Sequence, residues 1–196
     1  MTYRRLHVVG ASGSGTTTLG QILSTTLGIP QFDADHYYWL PTNPPFREKR
    51  DPAERLRLIL ADPAPHDRFI VSGSVIGWGE AIEHAFDLVV FLAIPAELRL
   101  ARLRTRELLR YGHINEAFIA WAAGYEDSAP KPATRNRRRQ EQWLAGCRCP
   151  VLRLEGDLTV PERVAAVLAH GRPRVVGLDD EAEANDSDSG LSPLHS

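Results

Sequence analysis

Lysine is nearly absent from this chain of 196 residues: it occurs only at Lys49 and Lys131, so arginine carries almost all of the positive charge. Arginine stays protonated at physiological pH and can donate two parallel hydrogen bonds to a phosphate group. The formal net charge is only −2, and such a balance does not by itself indicate nucleic-acid binding. A codon-composition bias explains the arginine count as a whole better than function does.

Cysteine and long apolar runs are also scarce. Cys147 and Cys149 form a CxC pair with no second Cys or His cluster, which excludes a disulfide framework and is a poor zinc site. No apolar run approaches the roughly 20 residues that a membrane-spanning helix needs. No signal peptide precedes the first strand. We therefore expect a soluble, cytoplasmic protein with free thiols and no membrane partner, and the sequence does not indicate an oligomeric state.

Five short apolar runs alternate with helical patterns along the chain. The runs predict strands at 5–9, 29–35, 68–74, 87–95 and 150–156. Helices are predicted after the first strand as far as Leu27, burying Leu19, Ile22 and Leu23, then at 52–60, about 96–109, up to about 145, and at 160–170. Residues 111–134 read as a polar segment.

The strands are apolar throughout instead of alternating, which is typical of a parallel sheet covered on both faces. We predict an α/β fold in one domain over residues 1–170, with a five-stranded parallel sheet and helices on both faces. The acidic stretch 171–196 has few large apolar residues and is expected to be a disordered tail. In such sheets ligands bind at the carboxyl ends of the strands.

The sequence GASGSGTTT at 10–18 follows the first strand and opens the first helix. Its glycines allow the backbone amides to curl around a phosphate group, and the helix start adds positive potential. It has the form GxxxxGK[ST], with Thr16 in the place of the lysine and Thr17 as the magnesium-binding hydroxyl. An ordinary tight turn is the alternative. The predicted cofactor-binding residues are Gly10, Gly13, Ser14, Gly15, Thr16, Thr17 and Thr18.

The order of these features resembles the adenylate-kinase-like branch of P-loop kinases, which includes nucleoside monophosphate kinases, shikimate kinase and gluconate kinase. DADHYYWLP, SGSVIGWG and DLVVFLAIPAELRLARLRTRE also resemble small bacterial P-loop proteins described as adenylate-kinase-like or DNA topology-modulation proteins. The resemblance covers about residues 5–170. The Gly-Thr-Thr form of the loop is similar to that of archaeal-type cytidylate kinases. The resemblance implies a P-loop fold, ATP and Mg²⁺ as cofactors, and a small lid at about 111–139.

Arginines elsewhere in the chain could supply the charge that Thr16 lacks. Four recur at spacings of 3, 4 and 4, which places them on one helix face: Arg99, Arg102, Arg106 and Arg110. By the resemblance, the lid starts there, and Arg102 and Arg106 are the preferred catalytic candidates. A second supply is Arg135, Arg137, Arg138 and Arg139. The alternative is a solvated face paired with Glu97 and Glu107.

Two acidic residues end the second strand. Asp33 and Asp35 resemble the Asp-x-Asp that shikimate and gluconate kinases place beside the acceptor hydroxyl and magnesium. A carboxylate there can accept the hydroxyl proton or bind a metal-bound water. The two project to opposite sides if the strand continues through them, and Asp35 is slightly favoured, also as a metal ligand. A turn or helix cap is the alternative.

Two further segments are compared with the family. SGSVIGWG has Ser72 where nucleotide kinases have an acid, and it resembles the glycine-rich substrate loop of shikimate kinase, with Trp78 as a wall. The absent acid leaves Asp33 or Asp35 to serve the magnesium. LEGD resembles the loop on which these kinases rest the adenine ring, which makes Gly156 a further cofactor-binding candidate.

These features predict a phosphotransferase that moves the γ-phosphoryl group of ATP to a nucleotide, a nucleoside or another small metabolite. A nucleotide-binding regulator in which Thr16 has ended catalysis is the first alternative. Nucleic-acid binding through RNRRRQ at 135–140 is disfavoured, because the cluster lies where a lid is expected and has no interleaved aromatic residues.

Overall fold

Five parallel strands form one sheet in the order β2-β3-β1-β4-β5 in the computed structural model, which describes residues 3–126 and 136–171. The strands are β1 (Arg5–Gly10), β2 (Gln31–Asp33), β3 (Phe69–Ser72), β4 (Leu88–Ala93) and β5 (Val151–Glu155). The helices are α1 (Thr16–Leu27), α2 (Ala34–Tyr38), α3 (Pro52–Ala61), α4 (Glu80–Glu83), α5 (Ala96–Tyr111), α6 (Glu116–Ala123), α7 (Arg137–Ala145) and α8 (Val160–His170). A 3₁₀ turn, Gly124–Glu126, follows α6.

Strand β1 lies at the centre of the sheet and is buried on both faces. Leu6 and Val8 pack on one face with Leu19 of α1 and Val167 of α8. Val9 faces the other side and packs against β4 and α7. The alternation follows from the strand period of two, which sends successive side chains to opposite faces. The predicted five-stranded parallel sheet with helices on both faces is confirmed, and it places the end of β1 in the middle of one edge.

The structure differs from the sequence-based assignments in several places. Ile22 of α1 was expected in the core, but its side chain is 40% exposed. The second strand ends at Asp33 because this residue caps α2. The sequence offered such a cap as the alternative to a catalytic role. The short helix α4 was missed as well.

The predicted polar segment contains a helix. Asn115 caps α6 by accepting a hydrogen bond from the amide of Phe118 at 3.1 Å. Ile119 and Ala122 of this helix pack against Leu103 of α5. The predicted lid at about 111–139 therefore includes α6, the 3₁₀ turn and the start of α7, while residues 127–135 lie outside the described residues. Nearly all of the predicted tail, residues 172–196, lies outside them too. Within the described residues, we find no helix long and apolar enough to cross a membrane.

His7 occupies the face of β1 opposite to Leu6 and Val8, and it is completely buried. Its ring packs against Phe86 and Trp143, with centroids 4.5 and 5.5 Å away. Neither ring nitrogen has a hydrogen-bond partner in the described part of the chain. Burial lowers the pKa of His7 from 6.5 to about 3. The side chain is therefore neutral in the folded protein at neutral pH.

We expect the burial of His7 to make folding stability depend on pH. The unfolded chain takes up a proton near pH 6.5, but the folded chain does not until about pH 3. Acid therefore favours the unfolded state, and His7 should lower the free energy of unfolding by about 2 kcal/mol between pH 7 and pH 5. Urea denaturation at each pH measures this. His7→Phe should remove that part of the slope, and His36→Gln at an exposed position should not. Parallel curves for wild type and His7→Phe would contradict the prediction.

Candidate active site

The glycine loop joins the central strand β1 to α1, and its shape requires glycine at several positions. Gly13 and Gly15 have φ angles of 84° and 93°, in the left-handed region that side chains disfavour. A Cβ at Gly13 would lie 2.6 Å from the carbonyl oxygen of Arg99, and one at Gly10 would lie 2.6 Å from Ser14 Oγ. The loop is thus curled tightly against the start of α5.

The loop leads directly into the first turn of α1. Gly15 is the cap residue of that helix, and among the described residues no side chain caps its first turn with a hydrogen bond. Amides at a helix start have no partner within the helix and attract anions. Thr16 is half-buried, whereas Thr17 and Thr18 are exposed. This end of α1 therefore presents amide donors and threonine hydroxyls at the edge of the sheet.

The end of β2 brings a carboxylate to the loop. Thr17 Oγ1 donates a hydrogen bond of 2.6 Å to Asp33 Oδ2. The other carboxylate oxygen, Asp33 Oδ1, accepts a hydrogen bond from the amide of Asp35 at 2.9 Å and so caps α2. Asp33 is therefore held in one orientation against Thr17. Asp35, which the sequence favoured, lies in the first turn of α2 because the strand ends before it.

The end of β3 carries no acid. Ser72 is buried and accepts a hydrogen bond from Gln31 through its hydroxyl. In the sheet, Ser72 is the register partner of Asp33. The carboxylate thus lies on the neighbouring strand at the same level as the serine. This arrangement fits the expectation that an aspartate after β2 takes the place of an acid after β3.

Two buried arginines hold the loop from the side of its carbonyl groups. Arg99 of α5 is completely buried and donates to the carbonyl oxygen of Ser12 at 3.1 Å. Its second terminal nitrogen pairs with Glu126 at 3.0 Å. Arg163 of α8 is 3% exposed and donates to the carbonyl oxygen of Ser14 at 2.9 Å.

Sequence reasoning missed the role of both residues. Arg99 was placed on one face with three exposed arginines. Arg163 stands four residues before the buried Val167, which is the spacing of one helix face. An arginine on the apolar face of a helix was the available signal.

The arginines chosen from the sequence lie on the exposed part of α5. Arg102 pairs with Asp157, which follows Gly156 in the turn after β5. Arg106 lies over the ring of Phe118 at 5.7 Å. Neither makes a hydrogen bond or an ion pair with the glycine loop among the described residues. Gly156 has a φ of 80°, and a Cβ there would meet no atom within 4 Å.

The second group of arginines lies at the start of α7. Arg137 pairs with Glu126 at 3.1 Å. Arg139 extends toward the loop after β3, where its Nη2 would lie 3.0 Å from a Cβ at Gly77. Arg138 is exposed, and Arg135 lies outside the described residues.

The loop after β3 faces an aromatic and basic cluster. The guanidinium of Arg55 in α3 lies 5.1 Å from the ring centre of Tyr38 and 4.7 Å from that of Trp78. Arg55 Nε is buried and has no hydrogen-bond partner in the described chain. The amides of Gly77 and Gly79 donate to Glu83 Oε1 at 3.0 and 3.1 Å. Trp78 is buried, and its role as a wall for an acceptor stays a prediction.

The donor set at the loop suits magnesium. Thr17 and Asp33 offer hard oxygen atoms, which Mg²⁺ prefers over nitrogen and sulfur. Within residues 3–126 and 136–171, no three or more His, Cys, Asp or Glu side chains form a group that could hold a metal ion. Mg²⁺ in proteins commonly completes its shell with water and substrate phosphates. The site therefore fits magnesium that enters with a nucleotide.

Comparisons with known proteins find one sequence relative, reported below, and solved structures with the same fold. No protein-family model matches the chain. The uncharacterized protein YqaC of Bacillus subtilis (strain 168) is 42% identical over 175 residues, which cover 84% of this chain and 96% of YqaC.

Solved structures of two kinases share the fold. A deoxyadenosine kinase from M. mycoides with bound dATP has a TM-score of 0.55 and 13% identity, covering 85% of this chain and 98% of that one. A shikimate kinase from Acinetobacter baumannii in complex with shikimate has a TM-score of 0.54 and 18% identity, covering 86% and 93%. At these identities the likeness establishes a P-loop kinase fold.

Proposed function

We propose that this chain, which belongs to the same family as the Bacillus subtilis uncharacterized protein YqaC, is a magnesium-dependent phosphotransferase that uses ATP. The acceptor is a nucleotide, a nucleoside or another small metabolite with a hydroxyl or phosphate group. The observation that carries the proposal is the contact between Thr17 and Asp33 at the end of the glycine loop. It unites the hydroxyl of a phosphate loop with a carboxylate fixed at the edge of the sheet.

The loop and helix α1 would bind the donor. The amides of the left-handed glycines Gly13 and Gly15, with the first amides of α1, would hold the phosphates. Thr17 Oγ1 would bind the metal directly, and Asp33 would orient it through the hydrogen bond that already joins them. When bound, ATP supplies the phosphoryl group and Mg²⁺ neutralises charge that develops on its oxygens.

Asp33 would also act on the acceptor. Its carboxylate would accept a hydrogen bond from an acceptor hydroxyl and take up the proton that this hydroxyl loses. The cap of α2 fixes one carboxylate oxygen, so the geometry at the other costs little reorganisation. The exposed Arg102 and Arg106 remain candidates for contacts with the transferring group, because both lie on the helix that packs against the loop.

The acceptor pocket that we propose lies between Asp33 and residues 73–79. Arg55 and Arg139 both reach this loop, and Arg55 carries a buried nitrogen without a partner in the described chain. Arginines in this position favour an acceptor with a negatively charged group, since guanidinium groups match carboxylate and phosphate geometry. Trp78 would pack against the body of the acceptor.

A thermal-shift screen tests the proposal. Nucleotides and phosphate acceptors are each added with magnesium, and every hit is followed by a coupled assay of ADP formation. We expect stabilisation by ATP with magnesium and ADP formation with at least one anionic acceptor. Thr16, in the place of the loop lysine, favours the nucleotide-binding regulator as the second candidate. ATP binding by calorimetry without ADP formation for any acceptor in the panel would exclude the phosphotransferase and support that regulator.

A further inference from the structure

Arg163 is a buried cation that touches the glycine loop from the last helix of the described chain. We propose that Arg163 supplies the fixed positive charge at the phosphate site that a lysine at position 16 would otherwise supply. The inference rests on the proposed function, namely that the loop binds the phosphates of a nucleotide. It concerns where the charge comes from, and it names a residue 149 positions away in the chain from the loop residue that it contacts.

The orientation of one peptide group links Arg163 to the phosphate site. Arg163 Nη1 donates to the carbonyl oxygen of Ser14. A peptide group is planar and trans, so its carbonyl and its N–H point in opposite directions. With the carbonyl of Ser14 turned toward Arg163, the amide of Gly15 points away from α8. Arg163 therefore helps to turn an amide donor toward the side where a phosphate would bind.

Arg99 has a similar effect on the peptide group between Ser12 and Gly13. It donates to the carbonyl oxygen of Ser12, so the amide of Gly13 points away from Arg99. Arg99 forms an ion pair with Glu126, a carboxylate that it shares with Arg137. Of the two arginines that hold the loop, only Arg163 has no carboxylate paired with it in the described part of the chain.

The charge of Arg163 lies close to the loop and forms no ion pair with a carboxylate of the described residues. Its Nη1 would lie 3.3 Å from a Cβ at Gly15, the residue that caps α1. Its Nε and Nη2 are buried without hydrogen-bond partners among the described residues. The carboxylate of Asp157 is paired with Arg102. A buried cation without an ion-pair partner costs folding free energy. An anion bound in the loop would reduce this free-energy cost.

The titration of Arg163 agrees with this environment. Burial and the nearby Arg102 lower the pKa of the Arg163 guanidinium, and Asp157 opposes the shift. The folded protein thus disfavours the charge that arginine carries at neutral pH. A bound phosphate would return part of this free energy as affinity.

The position of Arg163 also predicts whether its substitution changes the affinity for phosphate groups or kcat. A lysine in the loop reaches the transferring group from a flexible stem, whereas Arg163 is fixed behind the loop by α8. A fixed charge acts on the bound nucleotide before and during transfer, so it contributes to binding in both states. We expect variants of Arg163 to alter affinity for phosphate groups more than kcat.

The experiment compares affinities for ATP, inorganic tripolyphosphate and adenosine by calorimetry in wild type and five variants. Arg163→Gln removes the charge and, because its side chain ends two bonds earlier, also the contact with Ser14, and it should weaken ATP and tripolyphosphate binding by about tenfold or more. Adenosine, which has no phosphate, should bind as to wild type. Arg163→Lys should retain most of the affinity. Arg153→Gln, which removes an exposed arginine paired with Glu141, is the matched control and should change nothing.

Thr16→Lys separates charge from structure. In the Arg163→Gln background it should restore most of the lost affinity, which loss of a purely structural contact would not permit. In wild type it should change affinity by less than about threefold, because the charge is already present and the two substitutions are coupled. A wild type that binds neither ATP nor tripolyphosphate overturns both the proposed function and this inference.

The remaining outcomes concern Arg163 alone. Unchanged affinity in a folded Arg163→Gln variant overturns the inference and leaves the proposed function standing, as does failure of Thr16→Lys to restore binding. If Arg163→Gln does not fold, the Thr16→Lys variant of wild type decides. A gain of about tenfold or more there would mean that the site lacked a cation, and an unchanged affinity supports Arg163 as its source.

Discussion

Asp33→Asn is expected to lower the rate of ADP formation by about 100- to 10,000-fold, the range for removal of a general base. The acceptor used is the one found in the screen described above. Asparagine caps helices as well as aspartate does, so the fold of α2 should persist. The amide cannot take up a proton and is a poor partner for the metal shell. ATP affinity measured without magnesium should remain close to that of wild type, since the loop amides are unchanged.

Two other aspartates provide the controls. Asp51 caps α3 through the amides of Ala53 and Glu54, far from the loop in sequence. Asp51→Asn should leave turnover unchanged and shows the effect of replacing a capping aspartate. Asp35→Asn tests the residue that the sequence favoured, and we expect a smaller loss than for Asp33→Asn because Asp33 contacts Thr17. Equal losses at both positions would contradict this assignment.

Arg99→Met should destabilise the fold more than any surface substitution on the same helix. It removes the hydrogen bond to Ser12, the ion pair with Glu126 and the contact of the guanidinium with the ring of Tyr125 at 5.1 Å. Losing a hydrogen bond to a charged group costs about 1.5 to 3 kcal/mol, and Glu126, whose side chain is 32% exposed, keeps Arg137 as a partner. For a chain of this size that corresponds to a fall in Tm of about 3 to 12 °C. Thermal unfolding by circular dichroism measures it.

The matched control lies five residues along α5. Arg104 also forms an ion pair, with Glu116 at 2.7 Å, but both side chains are largely exposed. Exposed pairs are screened by solvent and contribute little to stability, so Arg104→Met should lower Tm only slightly. Arg99→Met should also weaken tripolyphosphate binding, because the peptide after Ser12 loses its fixed orientation. Similar Tm values for the two variants would show that the Arg99 guanidinium is not buried in solution.

The sequence predicted the sheet well because the strands are apolar on both sides. Continuous apolar runs can only be buried between two layers of helices, and β4 shows this most clearly, with five buried residues in six. The glycine loop was equally predictable from the sequence. The spacing of its glycines reflects positive φ angles and the close contacts at Gly10 and Gly13. These features depend on neighbouring residues, so the local pattern carries the information.

Features that depend on distant residues were less predictable. The choice between Asp33 and Asp35 turned on where β2 ends, and the capping hydrogen bond that ends it can only be seen in three dimensions. Helix α6 was hidden because its burial depends on Leu103 in another helix. The contacts of Arg99 and Arg163 with the loop join residues 87 and 149 positions apart. Residue spacing within a helix gives no information on such a partner.

The contact between Ser14 and Arg163 has a consequence for protein synthesis. The strand before the loop pairs with β3 and β4, which follow it by more than fifty residues in the chain. Such distant pairings form late, because long loops must close first. The loop then still requires α8, the last helix described. On the ribosome, the glycine loop therefore emerges well before α8, and its setting is complete only when α8 has followed.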